Sequence, residues 1–176
     1  MPDATGLELV AHELQDQFPN AIEDTLHYRG IATLRVKPEH ILDVLEWLRD
    51  TPAQRYHFLA SVHGADYLPL EPRFGVHYEL LNMERVERFH VKTLLADPGD
   101  SELPEIDSCV GLFPTADLQE REIYDMFGVR FRGHPDLRRI LMPDEYEGYP
   151  QRRDFPLGGE PVLFTHNEHT APRWYE

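Results

Sequence analysis

The sequence predicts an α+β fold: an antiparallel sheet with helices packed on one side, followed by an extended C-terminal tail. Three observations carry that expectation. Residues 74–95 alternate apolar and polar as a hairpin does. Two earlier stretches, from Leu7 and from Ile41, place apolar residues at helical spacing. From Val129 onward periodicity stops, while proline and glycine recur every few residues.

Taken in order, Thr5-Gly-Leu-Glu8 has capping-box spacing, and Leu7, Val10, Ala11, Leu14 and Phe18 form the first helical stripe, stopped by Pro19-Asn20. Tyr28–Val36 reads as a strand with Ala32, Leu34 and Val36 on one face. Pro38 suits a first helical turn, and Ile41, Leu42, Leu45 and Leu48 continue as a second stripe that Thr51-Pro52 ends. Phe58–Asp66 is a further strand. In the hairpin, pairing Leu80 with Phe89 also pairs Tyr78 with Val91 and Val76 with Thr93, which puts the apolar sets on one face. The same register sets Glu79 opposite His90 on a face that reads as solvated, with His77 beside them. After the proline-bounded connection 103–114, Thr115 is placed as the N-cap of a helix over Ala116–Phe127, with Gly128 as its stop. Arg121 and Asp125 lie one turn apart and are expected to pair. The chain thus divides into a module, 1–128, and a tail, 129–176. The tail lacks the periodicity to bury its own apolar residues, so it is expected to order itself against a partner.

Composition narrows the function. The 176 residues carry 32 acidic and 17 basic side chains, a formal charge of −15. Nucleic-acid binding and a polybasic membrane anchor are therefore not expected. The single cysteine, Cys109, excludes an internal disulfide and every multi-cysteine zinc or iron–sulfur site. No segment reaches the ~20 consecutive apolar residues of a membrane span, and the first residues lack a signal peptide's order, so synthesis in the cytoplasm is expected. Neither phosphate-binding glycine motif occurs, so no cofactor is assigned to this chain. His166-x-x-His169 lies between Pro161 and Pro172 where no helix is predicted, and His57 and His63 straddle the start of a strand; neither pair is read as a metal site.

Seven of the fifteen arginines fall between residues 119 and 154, interleaved with aromatic and acidic residues. Arginine's planar fork suits bidentate pairing and stacking, so this strip reads as an interface. Within it, Glu120-Arg121-Glu122, Asp125-Met126-Phe127-Gly128, His134-Pro135, Arg138 and Ile140-Leu141 resemble the signature of the C subunit of respiratory complex I, the proton-pumping NADH:quinone oxidoreductase, in its stand-alone form. Glu147-Gly148-Tyr149-Pro150 and Arg152-Arg153-Asp154-Phe155-Pro156-Leu157-Gly158 resemble the family's next block. Ala65-Asp66-Tyr67 and Phe74-x-Val76-x-Tyr78 are similar to its strand region.

The resemblance implies a non-redox core subunit of the peripheral arm, docked on the large hydrogenase-like D subunit near the quinone-reducing region. It would support electron transfer from NADH to quinone coupled to proton translocation. FMN and the iron–sulfur clusters would belong to partner subunits. The complex would lie on the cytoplasmic side of the bacterial inner membrane, and this chain would meet the membrane only through it. No catalytic, cofactor or metal residue is implied here. The signature and interface residues are Glu120, Arg121, Glu122, Asp125, Phe127, Gly128, His134, Pro135, Arg138, Arg139, Arg152, Arg153 and Asp154, with the tail arginines expected to anchor on the hydrogenase-like subunit. Two other readings stay open: the equivalent small subunit of a membrane-bound hydrogenase or other complex I-like enzyme, and a stand-alone metal protein using His57, His63, His166 and His169.

Overall fold

A computed structural model describes residues 4–99 and 102–156. In chain order the elements are α1 (Ala4–Gln17), β1 (Ile22–Tyr28), β2 (Ile31–Val36), a 3-10 turn over Pro38–His40, α2 (Ile41–Asp50), β3 (Phe58–Asp66), β4 (Phe74–Asn82), β5 (Glu87–Leu95), β6 (Glu105–Asp107), α3 (Ala116–Phe127) and β7 (Arg130–Arg132). The class is α+β, with the helices on one face of a five-stranded sheet ordered β1-β2-β5-β4-β3. Leu14, Leu34, Leu45, Phe74, Tyr78 and Phe89 meet between the layers and are fully buried.

The β4–β5 hairpin forms in the expected register, with Leu80 opposite Phe89, Tyr78 opposite Val91 and Glu79 opposite His90. The sheet differs from expectation in being mixed, because β2 pairs parallel with β5. The cause is the connection. A helical crossover through α2 returns the chain so that β3 runs in the direction of β2, and two hairpin reversals later β5 has that direction again. It then inserts beside β2. The expected strand Tyr28–Val36 is in fact two strands: a reversal at Arg29-Gly30, both at positive φ, separates β1 from β2. Thr5 lies inside α1 and caps nothing.

The helix-free face is not simply solvated. Strand pairing brings His63, His77 and His90 into a stack, with ring centroids 4.9 Å and 5.0 Å apart between neighbours. The His77 and His90 rings share a hydrogen bond of 2.9 Å, and the chain continues to the Tyr67 hydroxyl at 2.8 Å and the Thr33 hydroxyl at 3.0 Å. Burial, then the charges of His90, His63 and Lys92, lowers the pKa of His77 to about 3. Burial, His63 and Lys92 lower that of His90 to about 4. His77 is 7% exposed, which corrects its reading as a wet-face residue. Its ring is covered by His63 on one side, His90 on the other and Tyr67 at its Nε2.

Candidate functional site

The third helix forms where its ends are anchored. Thr115 stands at the N-cap position, but its hydroxyl donates to the Leu59 carbonyl of β3 at 3.3 Å and not to the helix. At the other end Gly128 adopts the left-handed conformation, φ 72°, and its N–H bonds the Tyr124 carbonyl. A side chain at Gly128 would also meet the Tyr149 ring 2.6 Å from its Cβ, so only glycine fits. Along α3, Phe127 and Ile123 press on Gly64 of β3, whose missing Cβ sets the approach: one built there would lie 2.7 Å from the Phe127 ring.

The central residue is Asp125, which is fully buried. Its Oδ2 accepts the main-chain N–H groups of Ile140, Leu141 and Met142 at 3.0, 2.7 and 2.9 Å. Its Oδ1 accepts Arg139 Nη1 at 2.6 Å. Burial alone would raise the carboxyl pKa. The Met142 amide, Arg139 and the Leu141 and Ile140 amides outweigh it and hold the group below the usual carboxylate range. The expected Arg121–Asp125 pair is therefore not formed, since the loop occupies Asp125. Arg121 instead donates to the carbonyls of Arg138 and Arg139 at 3.2 and 3.3 Å. Helix and loop are laced from both directions.

Glu120 faces inward, where the Ser108 hydroxyl and Cys109 N–H donate to it at 2.6 and 2.8 Å. Burial dominates here and raises its pKa, and burial likewise raises that of the Cys109 thiol. A buried thiol with a raised pKa is a poor nucleophile. His134 Nε2 donates to the Asp117 carbonyl at 3.1 Å while its Nδ1 accepts the Asp136 N–H at 3.0 Å, closing the turn that Pro135 begins.

The expected tail arginines find partners within the chain. Arg139 also donates to the Gly148 carbonyl at 2.9 Å and lies over the Tyr149 ring. Arg152 donates to the Phe127 carbonyl at 2.7 Å between the rings of Phe74 and Tyr149, at 4.9 and 4.7 Å. Asp154 pairs with Arg73 at 2.7 Å, and the main-chain N–H of Arg153 donates to Asp66 at 2.8 Å. Residues 129–156 thus fold back over α3 and the β3–β4 end of the sheet. The exposed signature residues are Glu122, Pro135, Arg138, Arg153 and Asp154, the last held by Arg73; Leu118, Ile140 and Leu141 are exposed as well. Among the described residues the Arg138 side chain pairs with exposed Asp136, at 2.9 Å.

Sequence reasoning missed Arg73. It is 4% exposed and holds Asp66, Asp97 and Asp154 at 2.7–2.8 Å. Burial opposes the ionised form of Asp66, but Arg73 and the amides of Arg153 and Leu68 prevail and lower its pKa to about 2. The acids come from three separate parts of the chain, and no spacing announces them. Of the histidines considered for metal, His57 bonds the Arg55 carbonyl while His63 joins the stack; His166 and His169 lie outside the described residues. Among the described residues, no group of three or more His, Cys, Asp or Glu has the arrangement to hold a metal ion. Nor is any helix among them long and apolar enough to cross a membrane.

Comparison with known proteins places this arrangement. The family model for the respiratory-chain NADH dehydrogenase 30 Kd subunit matches residues 34–161. The C subunit of the NADH-quinone oxidoreductase of Roseiflexus castenholzii is 45% identical over 159 residues, covering 90% of this chain and 89% of that protein. The one from Citrifermentans bemidjiense is 46% identical over 147 residues, covering 84% and 88%. Among solved structures, a trypsin-resistant fragment of Nqo5 is 31% identical at a TM-score of 0.57, covering 74% of this chain and 98% of the fragment. One component of the membrane-bound sulfane sulfur reductase, an archaeal respiratory membrane complex, shares the fold at a TM-score of 0.67 and 24% identity over 85% of each chain.

Proposed function

The chain belongs to the 30 kDa subunit family of the respiratory-chain NADH dehydrogenase, which comprises the C subunits of complex I, and on that premise we propose that it is a non-redox core subunit of the peripheral arm. It docks on the large hydrogenase-like subunit near the quinone-reducing region and supports NADH-to-quinone electron transfer coupled to proton translocation. Its contribution is a rigid binding surface, while FMN, clusters and reacting groups belong to partner subunits. The complex sits on the cytoplasmic side of the bacterial inner membrane.

The observation that carries this reading is where the signature side chains go. Asp125, Glu120, Arg121 and Arg139 are engaged in holding the 138–142 loop and the 108–109 segment to α3. A catalytic set would converge on a cleft; these converge on main-chain groups. What stays exposed is Arg138 and Arg153 and, on α3 and its loop, Leu118 and Ile140, residue types suited to an interface.

The test uses the full chain, tagged and expressed in place of the native subunit. Leu118→Asp, Arg138→Glu and Arg153→Glu together should leave its melting temperature unchanged. They should nevertheless lower both recovery of the hydrogenase-like subunit and NADH:quinone reductase activity at least about tenfold. Activity lost with the complex intact would overturn the reading, as would normal assembly. The isolated chain should show no flavin, no iron and no NADH oxidation. Recovery of a flavin- and NADH-binding subunit in the same complex separates this reading from a complex I-like enzyme with another electron donor.

A further inference from the structure

A groove of about 540 Å³ lies between β3 and α3. One wall is formed by Ala60–Gly64 of β3, the outer strand of the sheet on that side. At ~3.3 Å per residue those five residues give a wall of about 16 Å. The lining is apolar at Ile123, Met126 and Phe127, with Leu141 as an exposed apolar residue and Ser61, Gln119, Glu122 and Gln151 as polar ones.

The wall is an incompletely covered sheet edge. Its first part is blunted by α3, where the Thr115 hydroxyl donates to the Leu59 carbonyl and the Gln119 side chain accepts the Val62 N–H. Beyond Val62, the side chains of Ile123 and Phe127 lie against Gly64, and among the described residues no further strand pairs with this edge. Leu141 is 61% exposed although its main chain is fixed to Asp125, so an apolar side chain is held rigidly at the groove mouth.

Glu122 supplies the sign. It is the only Asp, Glu, Lys or Arg in the lining, it stands at the protein surface, and among the described residues it makes no hydrogen bond or ion pair. Its neighbours Glu120, Arg121 and Asp125 are all engaged within the chain. A carboxylate without a partner beside that apolar lining is complementary to a cation carried next to an apolar group. From this we infer that the groove is the docking site for an extended segment of a partner chain in which a lysine or arginine pairs with Glu122 and an adjacent large apolar side chain packs on the apolar lining. The segment lies along the Ala60–Gly64 wall. This deepens the proposed function, resting on the chain being one subunit of a larger complex, and adds a second contact beside the Arg138–Arg153 surface.

The experiment places a photo-cross-linking amino acid at Leu141 in the full-length chain, within the assembled complex, and identifies the cross-linked peptide by mass spectrometry. A partner peptide with Lys or Arg within two residues of a large apolar side chain is expected. Glu122→Gln should cut that cross-link about threefold and Glu122→Lys about tenfold or more, with both effects shrinking at high salt. Neither change should alter the melting temperature, because Glu122 makes no polar contact in its own chain among the described residues. A cross-link to residues 157–176 of the same chain, to a second copy, to an acidic segment, or to nothing would overturn the inference. A basic–apolar segment from a chain other than the hydrogenase-like subunit would uphold it while telling against docking on that subunit. A groove that captures nothing, in a complex that still depends on Arg138 and Arg153, would do the reverse.

Discussion

The β4–β5 hairpin and the region around α3 are both rigid, but different forces hold them. In the hairpin, apolar side chains on one face of two strands are removed from water, and no single contact is decisive. Around α3, buried charges hold the segments in place: Asp125 gathers three amides and a guanidinium, and Arg73, just before β4, gathers Asp66, Asp97 and Asp154. The first arrangement tolerates a lost contact. The second fails when one group is removed, because its partners are left buried and unpaired.

Four measurements test that contrast. The largest effect is expected at Arg73, which ties the two regions together by sitting at the start of β4 and binding Asp154. Arg73→Ala strands Asp66, whose side chain is 1% exposed, and should lower unfolding stability in urea by about 3–5 kcal/mol. If it costs no more than an exposed arginine, the charged latch contributes little. Next is Asp125→Asn, which keeps the shape but replaces one acceptor oxygen with a donor facing either the amides or Arg139. A loss of about 2–3 kcal/mol is expected, with new protease cleavage confined to residues 136–153. Cleavage within the hairpin instead would mean that the two regions unfold as one.

The third measurement concerns acid. Both hairpin histidines have folded pKa values, about 3 and about 4, below the ~6.5 of an unfolded histidine. Between those values the unfolded chain binds more protons. Their contribution to stability is therefore complete above about pH 6.5 and is lost as the pH falls towards 4 and then 3. On the order of 1 kcal/mol should disappear between pH 7 and pH 6. The double variant His77→Gln, His90→Gln should flatten that slope in thermal melts, and an unchanged slope would show that the stack is not its source. The smallest effect is expected from Tyr78→Phe. The Tyr78 hydroxyl is buried and finds no hydrogen-bond partner among the described residues. Removing it should change stability by no more than about 1 kcal/mol, in the stabilising direction. A larger loss would show a polar contact inside the apolar region.

The same contrast explains what could be read from the sequence. Apolar periodicity writes the hairpin, its register, α2 and β3 into the residue order. β1 escapes notice because none of its residues is buried: Ile22–Tyr28 is exposed or half-exposed throughout, and its turn is Arg29-Gly30 where asparagine-glycine would be the recognisable signal. β6 and β7, three residues each, are too short to show alternation. The histidine stack appears only once His63 is set beside His77 by strand pairing. In the candidate site, Glu120–Gly128, His134 and the arginines stand out by type, yet their geometry does not. Asp125 binds main-chain amides, which every residue but proline possesses, so no pattern of side chains could have named its partners.

That indifference has an evolutionary consequence. Because the clamp holds residues 140–142 by their backbone, it places no demand on what their side chains are, proline apart. Ile140 and Leu141, which belong to the family signature, are therefore kept by what their side chains meet and not by the clamp. Fold and fit are set separately in one short loop, the path by Asp125 and the surface by the residues the loop exposes.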